Sequence, residues 1–298
     1  MRKQKTALVM LLMSVLLCSA IVSASATTYY YSSGYELYRD DQSNGWIINS
    51  CSLQDNEISL PARLLDDNVT TIGGMSFQNR SSLTYVYIPD SFTTIGAYAF
   101  DGCTSLSDVI FGENLINIYT GAFRYCDALR IVDLSGTKVT GIGNTAFYHC
   151  DNLQEVILPD TVNSIGSNAF AYCPELNKIN IGRNVTSIAA NSFINSPNTV
   201  IYCYYDSIAH QYAVEKSIPY VLLDEIKLGD TDGDSYVNIN DVTHIQRHLA
   251  ELESLEGIYL HAADANQDGT VDISDATTIQ MYLAEYDIPY PIGEVMTQ

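Results

Sequence analysis

The chain has 298 residues, enough for one large or two ordinary domains, and it is strongly acidic: 14 Lys and Arg stand against 35 Asp and Glu, a formal charge of −21. Nucleic acids and anionic membrane surfaces need the opposite sign to neutralise their phosphates, so neither partner class is expected.

The first element is a leader. Arg2, Lys3 and Lys5 form a basic start, and Ala7 to Leu17 form an apolar stretch too short for a membrane span. Ser23-Ala24-Ser25-Ala26 then offers a small-residue cleavage site. That order is the pattern of a secretory signal peptide, so residues 1–26 are expected to be removed after Ala26. Cys18 follows Leu17, where lipid attachment needs a small residue, so a lipoprotein is not expected. Losing three basic residues takes the charge from −21 to −24. No second apolar stretch reaches transmembrane length, so the mature chain is expected to be extracellular and not inserted in a membrane, with any cell attachment made through a partner.

A repeat dominates the next part. Phe77, Phe100, Phe123, Phe147, Phe170 and Phe193 are separated by 23, 23, 24, 23 and 23 residues. Ile72, Ile95, Ile118, Ile142, Ile165 and Ile188 keep step five residues earlier. Leu83, Leu106, Leu129, Leu153 and Leu176 follow the first five Phe residues by six. Each unit carries an L-x-x-V-x-I segment such as "LTYVYI" or "LQEVIL", whose alternation has the period of a strand. Segments like "TTIGAYAF" are expected to turn the chain back through a short helical or irregular piece. One unit cannot bury its own apolar face, but stacked units can, with their strands aligned in a parallel sheet along a solenoid.

These units resemble the leucine-rich repeat family, and within it the BspA-like bacterial surface branch with its I-G-x-x-A-F-x-x-C-x-x-L pattern. The resemblance runs from Val69 to about Cys203. It implies a β-rich N-terminal cap over residues 27–68 and a C-terminal cap from about 199, so that repeats and cap together span 69–223. Cys103, Cys126, Cys150 and Cys173 each follow a repeat Phe by three residues. Equivalent positions in adjacent coils lie about one strand spacing apart with parallel side-chain directions, which suits a column of buried thiols and not disulfides. Cys51 and Cys203 fall in opposite caps and are not expected to meet.

After Leu223 a different repeat, of 34 residues, begins. The loop from Asp230 to Asp241 ("DTDGDSYVNIND") has its partner from Asp264 to Asp275 ("DANQDGTVDISD"). Both put oxygen-bearing side chains at loop positions 1, 3, 5, 9 and 12, which are Asp230, Asp232, Asp234, Asn238 and Asp241 in the first loop. The second loop offers Asp264, Asn266, Asp268, Asp272 and Asp275. Calcium takes six to eight oxygens, and position 7, Tyr236 or Thr270, can add its backbone carbonyl. Four Asp in one short loop would also repel one another without a cation. Two Ca2+ are therefore expected. Val237 and Val271 at position 8 would pack the loops together. Val242, Ile245 and Leu249 continue the first loop as a helix stripe, and Ala276, Ile279 and Leu283 the second. Position 6 needs a positive φ, which Gly269 supplies freely and Ser235 at a cost.

Loop-then-helix, twice, resembles a type I dockerin over about Leu228 to Pro289, with "SLEGIYLHAAD" between the halves. The expected architecture is therefore an α+β two-domain protein. A leucine-rich-repeat solenoid with a parallel β-sheet is joined by a short linker, 224–227, to a small all-α calcium-binding dockerin with duplicated loop-helix motifs, 228–298. The resemblance implies a cohesin module on a scaffolding protein as partner, in complexes that degrade plant polysaccharide. Its partner-facing positions fall on Ile239, Asn240, Gln246, Arg247 and Glu251, and on Ile273, Ser274, Gln280, Met281 and Glu285. Near-duplicate repeats in this family permit binding in two orientations, and Arg247 against Met281 breaks that symmetry here.

No catalytic constellation stands out. The chain has no H-E-x-x-H, no G-x-S-x-G and no phosphate-binding glycine loop. On the outward strand positions, Tyr85, Tyr87, Ile110, Ile131 and Ile157 interleave with charge, as a protein- or glycan-binding surface would. The same Ile residues would also serve as plain β-formers. The favoured function is a secreted, non-catalytic binding subunit whose repeats hold a protein or glycan while the dockerin docks it. The alternatives are a polysaccharide hydrolase carried by the dockerin and a protease inhibitor or protective factor.

Overall fold

The structure, a computed structural model, describes residues 28–32, 34–39, 45–64, 67–205, 207–224 and 226–296; the expected signal peptide and Cys18 lie outside them. Internal contacts divide the chain into two compact units, one running to Cys203 and including Gln211–Val221, the other comprising Tyr204–His210 and Leu222 onward.

The first unit opens with β1 (Thr28–Ser32), β2 (Tyr35–Arg39) and β3 (Trp46–Cys51), an antiparallel meander, followed by β4 (Glu57–Ser59), β5 (Arg63–Leu64) and β6 (Asp67–Ile72). The chain then alternates three-residue and two-residue strands. These are β7 (Tyr85–Tyr87), β8 (Thr94–Ile95), β9 (Asp108–Ile110), β10 (Asn117–Ile118), β11 (Ile131–Asp133) and β12 (Gly141–Ile142). They continue as β13 (Glu155–Ile157), β14 (Ser164–Ile165), β15 (Lys178–Asn180), β16 (Ser187–Ile188) and β17 (Ile201–Cys203). Helix α1 (Ile208–Lys216) and β18 (Tyr220–Leu222) come last.

The L-x-x-V-x-I segments pair in parallel as expected, with Ile131, Glu155 and Lys178 side by side in one register. The "TTIGAYAF"-like segments turn the chain back through runs of turns as expected, with one addition. Each opens with a two-residue strand, and Ile72, Ile95, Ile118, Ile142 and Ile165 lie in register along one continuous parallel sheet. A two-residue strand has no alternation of its own to read; its pairing is imposed by the coil before and the coil after. Gly143 follows this sheet because a Cβ there would stand 2.6 Å from the Tyr119 carbonyl carbon of the preceding coil.

The core repeats with the coil. Phe77, Phe100, Phe123, Phe147, Phe170 and Phe193 stack with ring centroids 5.0, 5.2, 5.4, 5.5 and 5.5 Å apart. Offset stacking of this kind adds roughly 0.5–1.5 kcal/mol per pair beyond simple burial. Tyr212 of α1 approaches Phe193 at 5.9 Å and covers the last ring. The thiols of Cys103, Cys126, Cys150 and Cys173 are buried and free, and each donates to the carbonyl of a Phe one coil back, at 3.1–3.3 Å. In the last coil Ser196 Oγ makes the same bond to Phe170, at 2.7 Å.

The second unit is helical: α2 (Ile239–Leu249), α3 (Gly257–Ala263) and α4 (Ile273–Leu283). Its core gathers Leu228, Val242, Ile245, Leu255, Ala276, Ile279 and Ile292, with Val237 and Val271 packed against it. Leu249 and Leu283, expected on the same buried stripe, are exposed instead, because each is the last residue of its helix and lies past the core. Ile226 is buried against Ile258 and Ala262, and Lys227 bridges Val295, so the segment expected as a linker carries core contacts of this unit. Among the described residues, no helix is long and apolar enough to cross a membrane.

Candidate calcium and partner-binding site

The two acidic loops are wound by their own backbone amides. In the first, Asp230 accepts from Gly233 N at 2.8 Å and from Ser235 N at 3.0 Å, which folds the loop around the carboxylate at position 1. Asp264 does the same in the second, accepting from Asp268 N at 3.0 Å and Gly269 N at 2.9 Å. Position 12 closes each loop. Asp241 Oδ1 accepts from Thr231 N at 2.7 Å, and Asp275 Oδ1 from Asn266 N at 3.0 Å.

Ser235 has φ 71° and Gly269 φ 91°, so the left-handed conformation anticipated at position 6 is present in both loops. Position 4 is left-handed as well, with Gly233 at φ 75° and Gln267 at φ 57°. Each loop therefore places glycine at one left-handed position and an L-residue at the other. The sequence showed Gly233 plainly, but only a comparison of both loops in three dimensions reveals its counterpart in Gln267.

Electrostatically the first loop is set for a cation. Asp230, Asp232 and Asp234 each bring a carboxylate oxygen within 4.8 Å of the others. Asp230 is almost wholly buried; burial pushes its pKa up, and the charges of Asp241 and Asp232 push the same way against the lowering effect of the Gly233 and Ser235 amides. Asp275 is buried and likewise raised, chiefly by desolvation. Buried, mutually repelling carboxylates with hard oxygen donors fit a divalent cation such as calcium. In the second loop Asn266 stands at position 3, its Oδ1 accepting from Asp268 N at 2.9 Å and its Nδ2 donating to Ser274 Oγ at 2.7 Å. Tyr236 and Thr270 occupy position 7 with exposed side chains, and the Tyr236 carbonyl accepts from Asn238 Nδ2 at 3.3 Å.

Positions 9 and 12 have a second role that ligand-counting missed. Asn238 and Asp272 are the N-caps of α2 and α4, and Asp241 and Asp275 complete reciprocal capping boxes with them. The signal was legible, since N-x-x-D or D-x-x-D before an apolar helix stripe is a capping pattern. Thr231 was also missed: it is buried, and its hydroxyl bonds Asp241 Oδ1 at 3.1 Å.

All ten residues expected to face the partner are exposed: Ile239, Asn240, Gln246, Arg247 and Glu251 in the first half, and Ile273, Ser274, Gln280, Met281 and Glu285 in the second. Ile239 and Ile273 are presented almost equally, 59% and 60% exposed. Glu251 and Glu285 sit just past their helices with φ 56° and 61°, where glycine is usual. Leu252 and Tyr286 follow them and are among the most exposed apolar side chains in the unit. Arg247 is held by Glu253 at 2.8 Å, a bond with no equivalent at Met281.

On the repeats, Tyr85, Tyr87, Ile110, Ile131 and Ile157 occupy the outward positions of their strands. Tyr85, Ile110 and Ile131 meet around one groove of about 770 Å³, while Tyr87 and Ile157 do not line it.

Two family models match separate stretches of the chain. Residues 70–200 match the family model of the BspA type leucine rich repeat region, in six copies. Residues 228–284 match that of the dockerin type I domain. Among solved structures, a leucine rich repeat protein of T. pallidum aligns at 26% identity with a TM-score of 0.48, covering 58% of this chain and 85% of that one. A leucine rich cell surface protein of Faecalibacterium prausnitzii A2-165 aligns at 28% identity with a TM-score of 0.44. The alignment covers 59% of this chain and 55% of that one, so this chain spans about half the length of that relative. Comparison with curated proteins gives no match.

Proposed function

With residues 70–200 a BspA-type leucine-rich repeat array and residues 228–284 a type I dockerin, a domain type that binds calcium and a cohesin partner, we propose that the chain is a secreted, non-catalytic binding subunit. The dockerin holds two Ca2+ and attaches the chain to a scaffold through cohesin, and the repeats present a ligand-binding face. Residues 228–298 make up the docking module and 69–223 the repeat module with its C-terminal cap, residues 1–26 being removed on export. Both matched domain types are non-catalytic and typical of extracellular bacterial proteins.

The observation that supports this most directly is the doubled device in the second unit. Two acidic loops, each closed by a buried Asp at position 12, lead into two capped helices that present the same residue positions to solvent. The first loop would hold its ion through Asp230, Asp232, Asp234, Asn238, Asp241 and the carbonyl of Tyr236. The second would use Asp264, Asn266, Asp268, Asp272, Asp275 and the carbonyl of Thr270. The ions would neutralise the carboxylates and fix the angle at which each helix leaves its loop.

Two measurements test the reading. Calorimetric titration of calcium into chelator-treated protein should give a stoichiometry near two, and capture on immobilised cohesin should require calcium. Incubation with plant polysaccharides should release no reducing ends; steady release would transfer the function to the hydrolase reading.

A further inference from the structure

The groove on the repeats lies where the strand ladder is interrupted. Strands β4, β7 and β9 form one sheet and β11, β13, β15, β17 and β18 another, with no pairing between β9 and β11. Strands β9, β13 and β15 each begin with two amides on one carbonyl: Ser107 and Asp108 on Thr84, Gln154 and Glu155 on Arg130, Asn177 and Lys178 on Gln154. Among the described residues, Arg130 and Ile131 make no such bonds to Ser107. The Ile sheet on the other side of the coil stays paired through Ile95, Ile118 and Ile142, so the solenoid opens on one face only.

Two departures from the repeat flank the opening. Phe111 stands where other units have Ile88, Leu134, Leu158 and Ile181, and it packs edge-on against Phe123 at 5.8 Å. The stretch from Leu134 to Ile142 is also one residue longer than its counterparts, eight steps against seven from Ile88 to Ile95. The opening reaches the core: Val109 is half-buried, whereas Val86, Val132, Val156 and Ile179 are buried.

Tyr85, Asp108, Ile110, Arg130, Ile131 and Asp133 give the groove its chemistry. Asp108 Oδ2 accepts from Ser107 Oγ, and Asp133 Oδ1 accepts from Ser135 N and Oγ. The remaining oxygen of each has no hydrogen-bond partner among the described residues, and neither Asp forms an ion pair. Further along the same face Glu155 is paired with Lys178 at 2.8 Å, and Lys178 lies over the Tyr202 ring. The sheet face is thus self-neutralised at one end and left with free carboxylates at the groove. Ile110 and Ile131, about half exposed, supply an apolar floor between them.

Resting on the reading that the repeats are a binding module, we propose that this groove is the ligand site and that it takes a Lys or Arg side chain from a protein ligand. The aliphatic stem lies along Ile110 and Ile131, and the charge is held by Asp108 and Asp133. Arg130 at the same groove disfavours a second nearby cation, so a basic residue two positions from an acidic one, on the same face of an extended peptide, fits better than a polybasic run. A neutral glycan fits less well, because sugar rings are gripped by flat aromatic faces and the lining's one ring, Tyr85, is itself half-buried.

The test uses the full chain with calcium present and fluorescence anisotropy of a labelled Gly-Val-Lys-Val-Glu-Gly peptide, its Lys-to-norleucine analogue, and labelled cellohexaose and xylohexaose. The Lys peptide should bind, the norleucine analogue should not, and the sugars should not. Asp108→Asn with Asp133→Asn should weaken peptide binding by about 10-fold or more, and Ile131→Arg should abolish it. Glu113→Gln with Glu175→Gln, an equal charge change at exposed sites of the same unit, should leave it unchanged. Equal weakening by both double variants would mean bulk charge and overturn the proposal. Sugar binding that depends on the groove would overturn it while keeping the repeats as a binding module. Absence of any groove-dependent binding would overturn both, and cohesin capture, measured on the same samples, reports on recruitment independently.

Discussion

Asp241 Oδ2 accepts from the backbone amide of Asn238 at 2.7 Å, while Asn238 Oδ1 accepts from Asn240 N at 2.8 Å. Asp272 and Asp275 repeat the arrangement, with Asp275 Oδ2 taking the Asp272 amide at 2.8 Å. The residues that close each acidic loop therefore also start the helix that follows. Loop and helix form one device, and the state of the loop is transmitted to the helix by shared side chains.

Calcium removal should accordingly cost helix and not only ion. Chelation is expected to lower the far-ultraviolet circular dichroism signal of α2 and α4 and leave the repeat unit's thermal transition in place. Asn238→Ala removes a cap and a ligand together, so it should destabilise the second unit by about 1–2 kcal/mol and weaken calcium binding at the first loop. Dichroism that is the same with and without chelator would refute the coupling.

Ser235 is the strained point of the first loop, an L-residue at φ 71°. A left-handed L-residue costs roughly 1 kcal/mol relative to glycine, part of which glycine returns through the freedom of the unfolded chain. Ser235→Gly should therefore raise the calcium affinity of the first loop by up to about 5-fold, and Gly269→Ala should lower that of the second by a similar factor. Isothermal titration of both variants checks the sign at each loop.

How much of this was legible in the residues differs from element to element. The Phe and Ile ladders announced the coil because burial repeats with the chain, and the duplicated sequence announced two loops of one conformation because side chains at the same positions accept the same backbone amides in each. The two-residue strands were not legible, since pairing between coils determines them and local pattern does not. The break between β9 and β11 was equally hidden: "LSDVIF" reads as a strand like its neighbours, and only its relation to the next coil opens the ladder. Asp108 and Asp133 stood in plain view in the outward columns, yet nothing local marked them as unpaired while Glu155 had found Lys178.

The thiol column gives a chemical prediction. Burial pushes Cys103 and Cys173 up to about 12 and raises Cys126 and Cys150 strongly. The thiolate is the reactive form, so at about pH 8 these four should resist iodoacetamide in the folded protein and react once it is unfolded. Cys51, half-buried and bonded by Arg80 Nη1 at 3.3 Å, should be modified first among the described cysteines. Peptide mapping by mass spectrometry reads the order directly. Cys150→Ser should fold, because Ser196 already fills the equivalent place and makes the same bond.

The two helices share six of eleven residues, which bears on how a partner is held. Ile239 and Ile273 are almost equally exposed and begin matching helices, so under the docking proposed above either half would supply the apolar anchor. The asymmetry lies further along, where Arg247 is tied to Glu253 and Met281 has no such restraint. If the chain docks on cohesin in two orientations, Ile239→Asp alone should weaken binding by less than about 10-fold, because the second half takes over. Ile239→Asp with Ile273→Asp should then cost about 100-fold or more, as loss of a central anchor does. Calorimetry with a cognate cohesin separates the cases: a single substitution as damaging as the pair would mean one orientation, fixed by Arg247 or by Met281.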